Sequence, residues 1–298
     1  MSHLLSRRDA GKLMLAGCAG ALAPAGELWS VTKINSVVRG VRIGAQAWSF
    51  RDRPLDACIA ACREVGLGEC ELSEIHFTTP NPGGPDLDPR RLDLPLSNYH
   101  VVRKRFDDAG VRISAYGNSF RADDTDQVIE RVFKITQAMG LDCITTSTKI
   151  SMVPRIDQYA QKYKIKVGYH NHDHSSDPNE FATAEGFERA LAGASPYARI
   201  NLDIGHFVAA NQDPIAFLHK HHDKIVTLHI KDRKRDHGPN VPFGLGDTPI
   251  VEVLRLVRDN HWKFPANIEY EYGDYAPGLD TITEVKKCYA YCRKALES

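Results

Sequence analysis

Between Val41 and Leu296, short apolar runs alternate with amphipathic stretches eight times. The runs Val41–Trp48, Glu69–Ser73, Val111–Asn118, Leu141–Lys149, Ile165–His170, Ile200–Ile204, Ile225–Ile230 and Ala266–Glu271 have the length of strands. The intervening stretches repeat apolar positions at helical spacing: Pro54–Val65, Asn98–Ala109, Thr125–Met139, Pro154–Tyr163, Ala184–Ala194, Pro214–His221, Ile250–Asp259 and Asp280–Leu296. Gly66, Gly110 and Gly140 each follow one of these helices as a stop signal, and Pro214 opens another, where its missing N–H costs nothing. Strict βα alternation demands a parallel sheet with right-handed crossovers. Eight units favour closure, so the expected architecture is α/β, a single (β/α)8 barrel of roughly 250 residues. Two segments break the rhythm: a Pro/Gly-rich stretch from Ile75 to Pro95, and Lys234 to Pro249. Long loops in compact domains are usually functional, and the first leaves the C-terminal end of a strand, where it would overhang a site.

The chemistry gathers at the ends of the last four strands. His170, Asp203, His229 and then Glu269 or Glu271 close successive apolar runs. A parallel barrel aims the C-terminal ends of its strands into one pocket. Imidazole and carboxylate side chains arriving there together are ligands for a first-row divalent ion or magnesium. The sequence therefore predicts a metal cofactor (Mn, Co, Zn or Mg) held by side chains from these four strand ends.

The strings YHNH (169–172), LDIGH (202–206), HIKD (229–232) and IEYE (268–271), in this order and spacing, resemble the sugar phosphate isomerase/epimerase superfamily of xylose-isomerase-like TIM barrels. The resemblance runs from about Val41 to Tyr291. It implies ligands of the pattern Glu, Asp, His, Glu on strands five to eight. Asp203, His229 and Glu269 match that pattern, and His170 stands where the first glutamate is usual. It also implies proton abstraction beside a sugar carbonyl, usually shared between two ligating glutamates, of which this chain keeps one. The expected activity is a metal-dependent isomerase or epimerase; the alternatives are a 3-keto-glycoside lyase or hydratase that expels the aglycone, and a non-catalytic exported sugar-binding protein. A sugar or keto-glycoside is the expected small-molecule partner. Glu269, Glu271, Lys149 and His76 are the expected acid/base groups, with Glu74 beside them. Trp48, His172, His206 and Lys231 are expected to meet substrate, and Phe50 to wall it.

The amino terminus adds a location. Ser6 to Lys12, with adjacent Arg7 and Arg8, followed by a weakly apolar run and Ala23–Ala25, resembles a twin-arginine export signal. Residues 1–25 are therefore expected to be removed and residues 26–40 to form a linker, leaving residues 41–298 as a periplasmic or otherwise exported catalytic domain. Leu15–Cys18 also fits a lipoprotein cleavage box, which would anchor the mature chain at Cys18. The whole chain is electrically neutral, and loss of three cations and one acid with the signal leaves the mature chain at −2. A slightly acidic chain without a basic stripe argues against nucleic acid as a partner, and against the nuclease branch of the superfamily that Asp232 and His237 would otherwise serve. No apolar run reaches the length of a membrane span. The seven cysteines lack metal-knuckle spacing, and no disulfide framework is expected. The composition is compatible with a homo-oligomer.

Overall fold

The computed structural model describes residues 33–78 and 86–298; the expected export segment, residues 1–25, lies outside them. A short strand β1 (Val37–Val38) turns through Arg39 and Gly40 and pairs antiparallel with the start of the next strand. Part of the expected linker is thus a hairpin. Eight parallel strands follow: β2 (Val41–Gln46), β3 (Glu69–Ser73), β4 (Arg112–Gly117), β5 (Cys143–Thr146), β6 (Lys166–His170), β7 (Ala198–Asp203), β8 (Ile225–Ile230) and β9 (Ala266–Ile268). Each pairs with the next, and β2 also pairs with β9, so the barrel is closed.

The helices are α1 (Leu55–Val65), α2 (Ile75–Thr78), α3 (Ser97–Asp108), α4 (Asp126–Ala138), α5 (Val153–Tyr163), α6 (Ala184–Leu191), α7 (Ile204–Ala209), α8 (Pro214–His221), α9 (Ile250–Asp259) and α10 (Thr281–Glu297). No helix among the described residues is long and apolar enough to cross a membrane. Local signals set their ends. Gly66 takes φ 89° and its N–H reaches the carbonyls of Cys62 and Arg63, a left-handed close that a side chain would strain. Thr125 and Asp213 cap α4 and α8 with side-chain oxygens.

Period-2 alternation divides each strand between two environments. Ile43, Leu72, Leu202, Leu228 and Ile268 are fully buried under the helices. The other set faces the barrel axis and is unusually polar: Gln46, Glu71, Thr145, His170, Asn201, His229 and Glu269 all line one cavity. Several strands end before the expected residue, the first at Gln46 and the third at Gly117. The fourth strand stops at Thr146 and the eighth at Ile268, leaving Glu269 and Glu271 on the chain that follows. The sixth stops at Asp203 because the Asp203 carboxylate accepts the His206 N–H (2.7 Å) and caps α7.

Candidate metal centre and active-site cavity

His170 and Asp203 end β6 and β7, and His229 sits one residue before the end of β8. Asp203 and His229 are register partners, and the Glu269 N–H prolongs the ladder by donating to the Ile230 carbonyl (3.0 Å). One ligand atom from each of the four lies within 4.8 Å of the others, and all four residues are buried. His170 Nε2 is 3.6 Å from Asp203 Oδ2, and His229 Nδ1 is 3.0 Å from Glu269 Oε2. These same four atoms make no aligned hydrogen bond. A buried polar atom left unmet costs on the order of 1–3 kcal/mol. Lys231 Nζ answers only part of this, lying 3.1 Å from both Asp203 Oδ2 and Glu269 Oε2. Two imidazoles and two carboxylates facing a common centre fit a divalent cation, whose charge the carboxylates would neutralise.

The four side chains are held from behind. Glu71, in the middle of β3, receives both-oxygen contacts from His229 Nε2 (3.0 Å each) and hydrogen bonds from Thr145 Oγ1 (2.7 Å), Asn267 Nδ2 (3.1 Å) and Gln46 Nε2 (3.2 Å). With its Nε2 proton engaged there, His229 turns Nδ1 to the centre, the carboxylate–histidine arrangement that orients metal-binding imidazoles. Burial opposes an imidazolium at His229, yet Glu71 and Glu269 outweigh it and raise its pKa well above the ordinary value. A metal ion at Nδ1 would meet the same negative field in place of that proton. Burial likewise opposes the charges of Asp203 and Glu269; Lys231 is the largest of the groups that nevertheless hold both below the usual carboxylate range. His170 Nδ1 lies 3.2 Å from Ser147 Oγ, leaving Nε2 inward. Asn171 clamps Asp203 reciprocally, accepting its N–H (2.9 Å) and donating to its carbonyl (3.0 Å). Glu71 and Asn171 were missed in the sequence, although Glu71 has the inward parity of its strand.

Comparison with known proteins identifies the family. The family model described as xylose isomerase-like TIM barrel matches residues 59–291. The chain belongs to that family. Among curated relatives of this xylose isomerase-like barrel, an inosose dehydratase of Lactiplantibacillus plantarum is 33% identical over 79 residues. That match spans about a quarter of each protein, 26% of this chain and 25% of the relative. A sugar phosphate isomerase/epimerase from Parabacteroides distasonis superposes with TM-score 0.64 at 19% identity, covering 87% of this chain and 97% of that one. A 3-keto-D-glucoside 4-epimerase from E. coli superposes with TM-score 0.64 at 13% identity, covering 85% of this chain and 99% of that one. At these identities the two superpositions speak to the fold.

A cavity of about 550 Å³ opens over the centre, lined by Trp48, Glu74, Arg90, His172, His206 and Glu271 among others. Glu271 is held by Trp48 Nε1 (2.7 Å) and Lys231 Nζ (2.6 Å), so its two oxygens are occupied while Glu269 Oε2 faces the ligand group. Lys231 is fully enclosed; burial opposes its charge, but Asp203, Glu269 and Glu271 raise its pKa. His206 lies between Lys231 Nζ (3.0 Å from Nε2) and Arg233 (2.6 Å from Nδ1), and burial and Lys231 lower its pKa against the pull of Asp203 and Asp173. Burial, followed by His170, His206 and Lys231, pushes the His172 pKa down to about 2, so its ring is neutral at ordinary pH.

Other expected residues sit elsewhere. The His76 ring is buried between the carbonyls of Ala47 (3.0 Å) and Arg53 (3.2 Å), and ties α2 to the segment after β2. The Lys149 ammonium pairs with Asp177 and Glu180 (2.7 Å each) outside the cavity lining. Phe50 is in the hydrophobic core. Asp232 accepts the N–H groups of Gly244 (2.7 Å), Gly246 (3.0 Å) and Thr248 (3.2 Å), which pins the second long loop. A Cβ at Gly246 would lie 1.9 Å from Asp232 Oδ1, so that contact requires glycine. His237 is mostly exposed and meets Asp173 (3.2 Å).

Proposed function

We propose that the protein is a metal-dependent enzyme that takes the proton beside a sugar carbonyl and expels the oxygen substituent from the next carbon. It is a lyase or dehydratase for keto-glycosides or keto-polyols. The observation that carries this reading is His170, an imidazole in the ligand group where a second glutamate would supply a base on the other face of the sugar. A divalent ion held by His170, Asp203, His229 and Glu269 supplies Lewis-acid polarisation of the carbonyl.

The chain's own residues do the rest. Glu269 carries an oxygen free of hydrogen bonds at the centre, and the adjacent Lys231 favours its ionised form. Its carboxylate can take the carbon-bound proton. In a syn elimination the same group returns that proton to the departing oxygen as the C–O bond breaks and the C=C bond forms. One carboxylate then suffices, and neither His76 nor Lys149 is needed as donor. Glu271, fixed by Trp48 and Lys231, and the neutral His172 offer hydrogen-bond partners to sugar hydroxyls. Twin-arginine export of the folded chain belongs to the same proposal, since an exported enzyme meets glycosides more than sugar phosphates.

Isomerisation or epimerisation is the second reading, and one residue favours it. Glu74 lines the cavity from the β3 end and could act as another base, though Arg90 (2.9 Å) and the Ser119 N–H (2.9 Å) hold its two oxygens. The two readings separate when metal-loaded protein meets 3-keto-glycosides with a chromogenic aglycone, and free ketoses in D2O. Aglycone release faster than ketose epimerisation is expected. Epimerisation without release would establish the second reading.

A further inference from the structure

The opposite mouth of the barrel holds a second cavity, of about 330 Å³, at the N-terminal ends of the strands. Five cations line it: Arg42 on β2, Arg112 on β4, Lys166 on β6, Arg199 on β7, and Lys263 just before β9. Three of them stand four residues before a residue of the upper site on the same strand: Arg42 before Gln46, Lys166 before His170, Arg199 before Asp203. At ~3.3 Å per residue the two sites are roughly 13 Å apart along the barrel. They share strands and are separate places.

The acidic groups present do not balance these cations. Glu69 meets Arg42 (3.2 Å) and Asp142 meets Lys166 (3.6 Å), while Asp223 also lines the cavity. Five cations against three carboxylates leave two positive charges unmatched, in a chain that is neutral as a whole. Among the described residues, the side chains of Arg112 and Lys263 make no hydrogen bond or ion pair. Arg199 gives one nitrogen to the Asp223 carbonyl (3.1 Å), but its Nε–H is buried and finds no acceptor. Burial works against the Arg42 charge, Glu69 supports it, and the nearby Arg112 opposes it again. Five cations round one mouth, two of them unmatched by carboxylates and one carrying a buried donor without an acceptor, suit an anion.

We propose that this lower mouth binds a dianionic oxyanion of the phosphate class. Two unmatched positive charges suit a dianion, and guanidinium forks present paired N–H donors that match phosphate oxygens. The ligand could be free inorganic phosphate or the phosphate group of an ester. The inference stands apart from the proposed reaction, because none of these residues touches the upper cavity.

Equilibrium dialysis with radiolabelled inorganic phosphate, at fixed ionic strength set by sodium chloride, tests it on the full chain. One saturable equivalent is expected, and Arg112→Gln/Lys166→Gln should weaken it at least about tenfold, a loss of ~1.4 kcal/mol. Both side chains are exposed, so the substitutions spare the core. Asp203→Asn, which alters only the upper site and can still cap α7, should bind phosphate as the unmodified chain does. A methyl phosphate arm identifies the source: tighter binding than phosphate points to an ester, equal or weaker binding to the free ion. Absence of saturable binding, binding indifferent to the double variant, or binding lost in Asp203→Asn would each overturn the proposal.

Discussion

Along β7, Arg199, Asn201 and Asp203 face the barrel axis in turn; along β6, Lys166, Gly168 and His170 do the same. The same strands therefore begin in cations and end in metal-grade acceptors. At the upper mouth the unmet atoms are His170 Nε2, Asp203 Oδ2, His229 Nδ1 and Glu269 Oε2, all buried. At the lower mouth the buried atoms without an aligned hydrogen bond are a donor, Arg199 Nε, and an acceptor, Glu69 Oε1, which lies 3.2 Å from Arg42, among more exposed cations. Between them Glu71, Asn201, Thr227 and Asn267 fill the axis with hydrogen bonds to one another. The difference teaches that one rule, alternation along a strand, builds both ends, and that residue type at each end decides the sign of the ligand. Burial then decides strength: a cation at the top meets dry, preset ligands, whereas an anion at the base must compete with water.

The largest effect is expected at the upper mouth. Glu269→Gln removes the carboxylate assigned as base and should lower turnover by about 10²–10⁴-fold, measured as aglycone release at saturating metal. A smaller loss would move the base to Glu271 or Glu74. Next comes the polar middle. Glu71→Gln keeps the shape but weakens the grip on His229 Nε2, and metal affinity should fall about 10–100-fold by competitive chelator titration. Unchanged affinity would mean that Glu71 serves the barrel interior alone. The smallest effect is expected from Lys149→Ala, which removes a surface ion pair with Asp177 and Glu180 and should leave turnover unchanged.

Much of this was legible in the sequence, for identifiable reasons. Parallel strands bury their outer faces under helices, so Ile43, Leu72 and Leu228 stand in short apolar runs that alternate visibly with helical periods. Gly66, Gly110 and Gly140 all take positive φ at the helix stops. The four converging positions were readable because each directly ends or follows an apolar run. Glu71 was not, because its partners Thr145, His229 and Asn267 come from three other strands, and no local pattern brings them together. His76 and Lys149 mislead for a different reason: nearness to a strand end does not say which way a side chain turns. Carbonyls of Ala47 and Arg53 draw His76 aside, and Asp177 and Glu180 draw Lys149. The cations of the lower mouth read singly as solubilising residues, and become a group only when the barrel closes.

The central claim is that four strand-end side chains form one divalent-metal centre. Its most direct test is metal content after dialysis of the unmodified protein and of Asp203→Asn against Mn, Co or Zn, counted by mass spectrometry. One ion per chain in the unmodified protein is predicted, together with its loss in the variant and release of a proton on binding at neutral pH as the metal replaces the proton on His229. Stoichiometric metal retained by Asp203→Asn, or no metal taken up by the unmodified protein, would contradict the account.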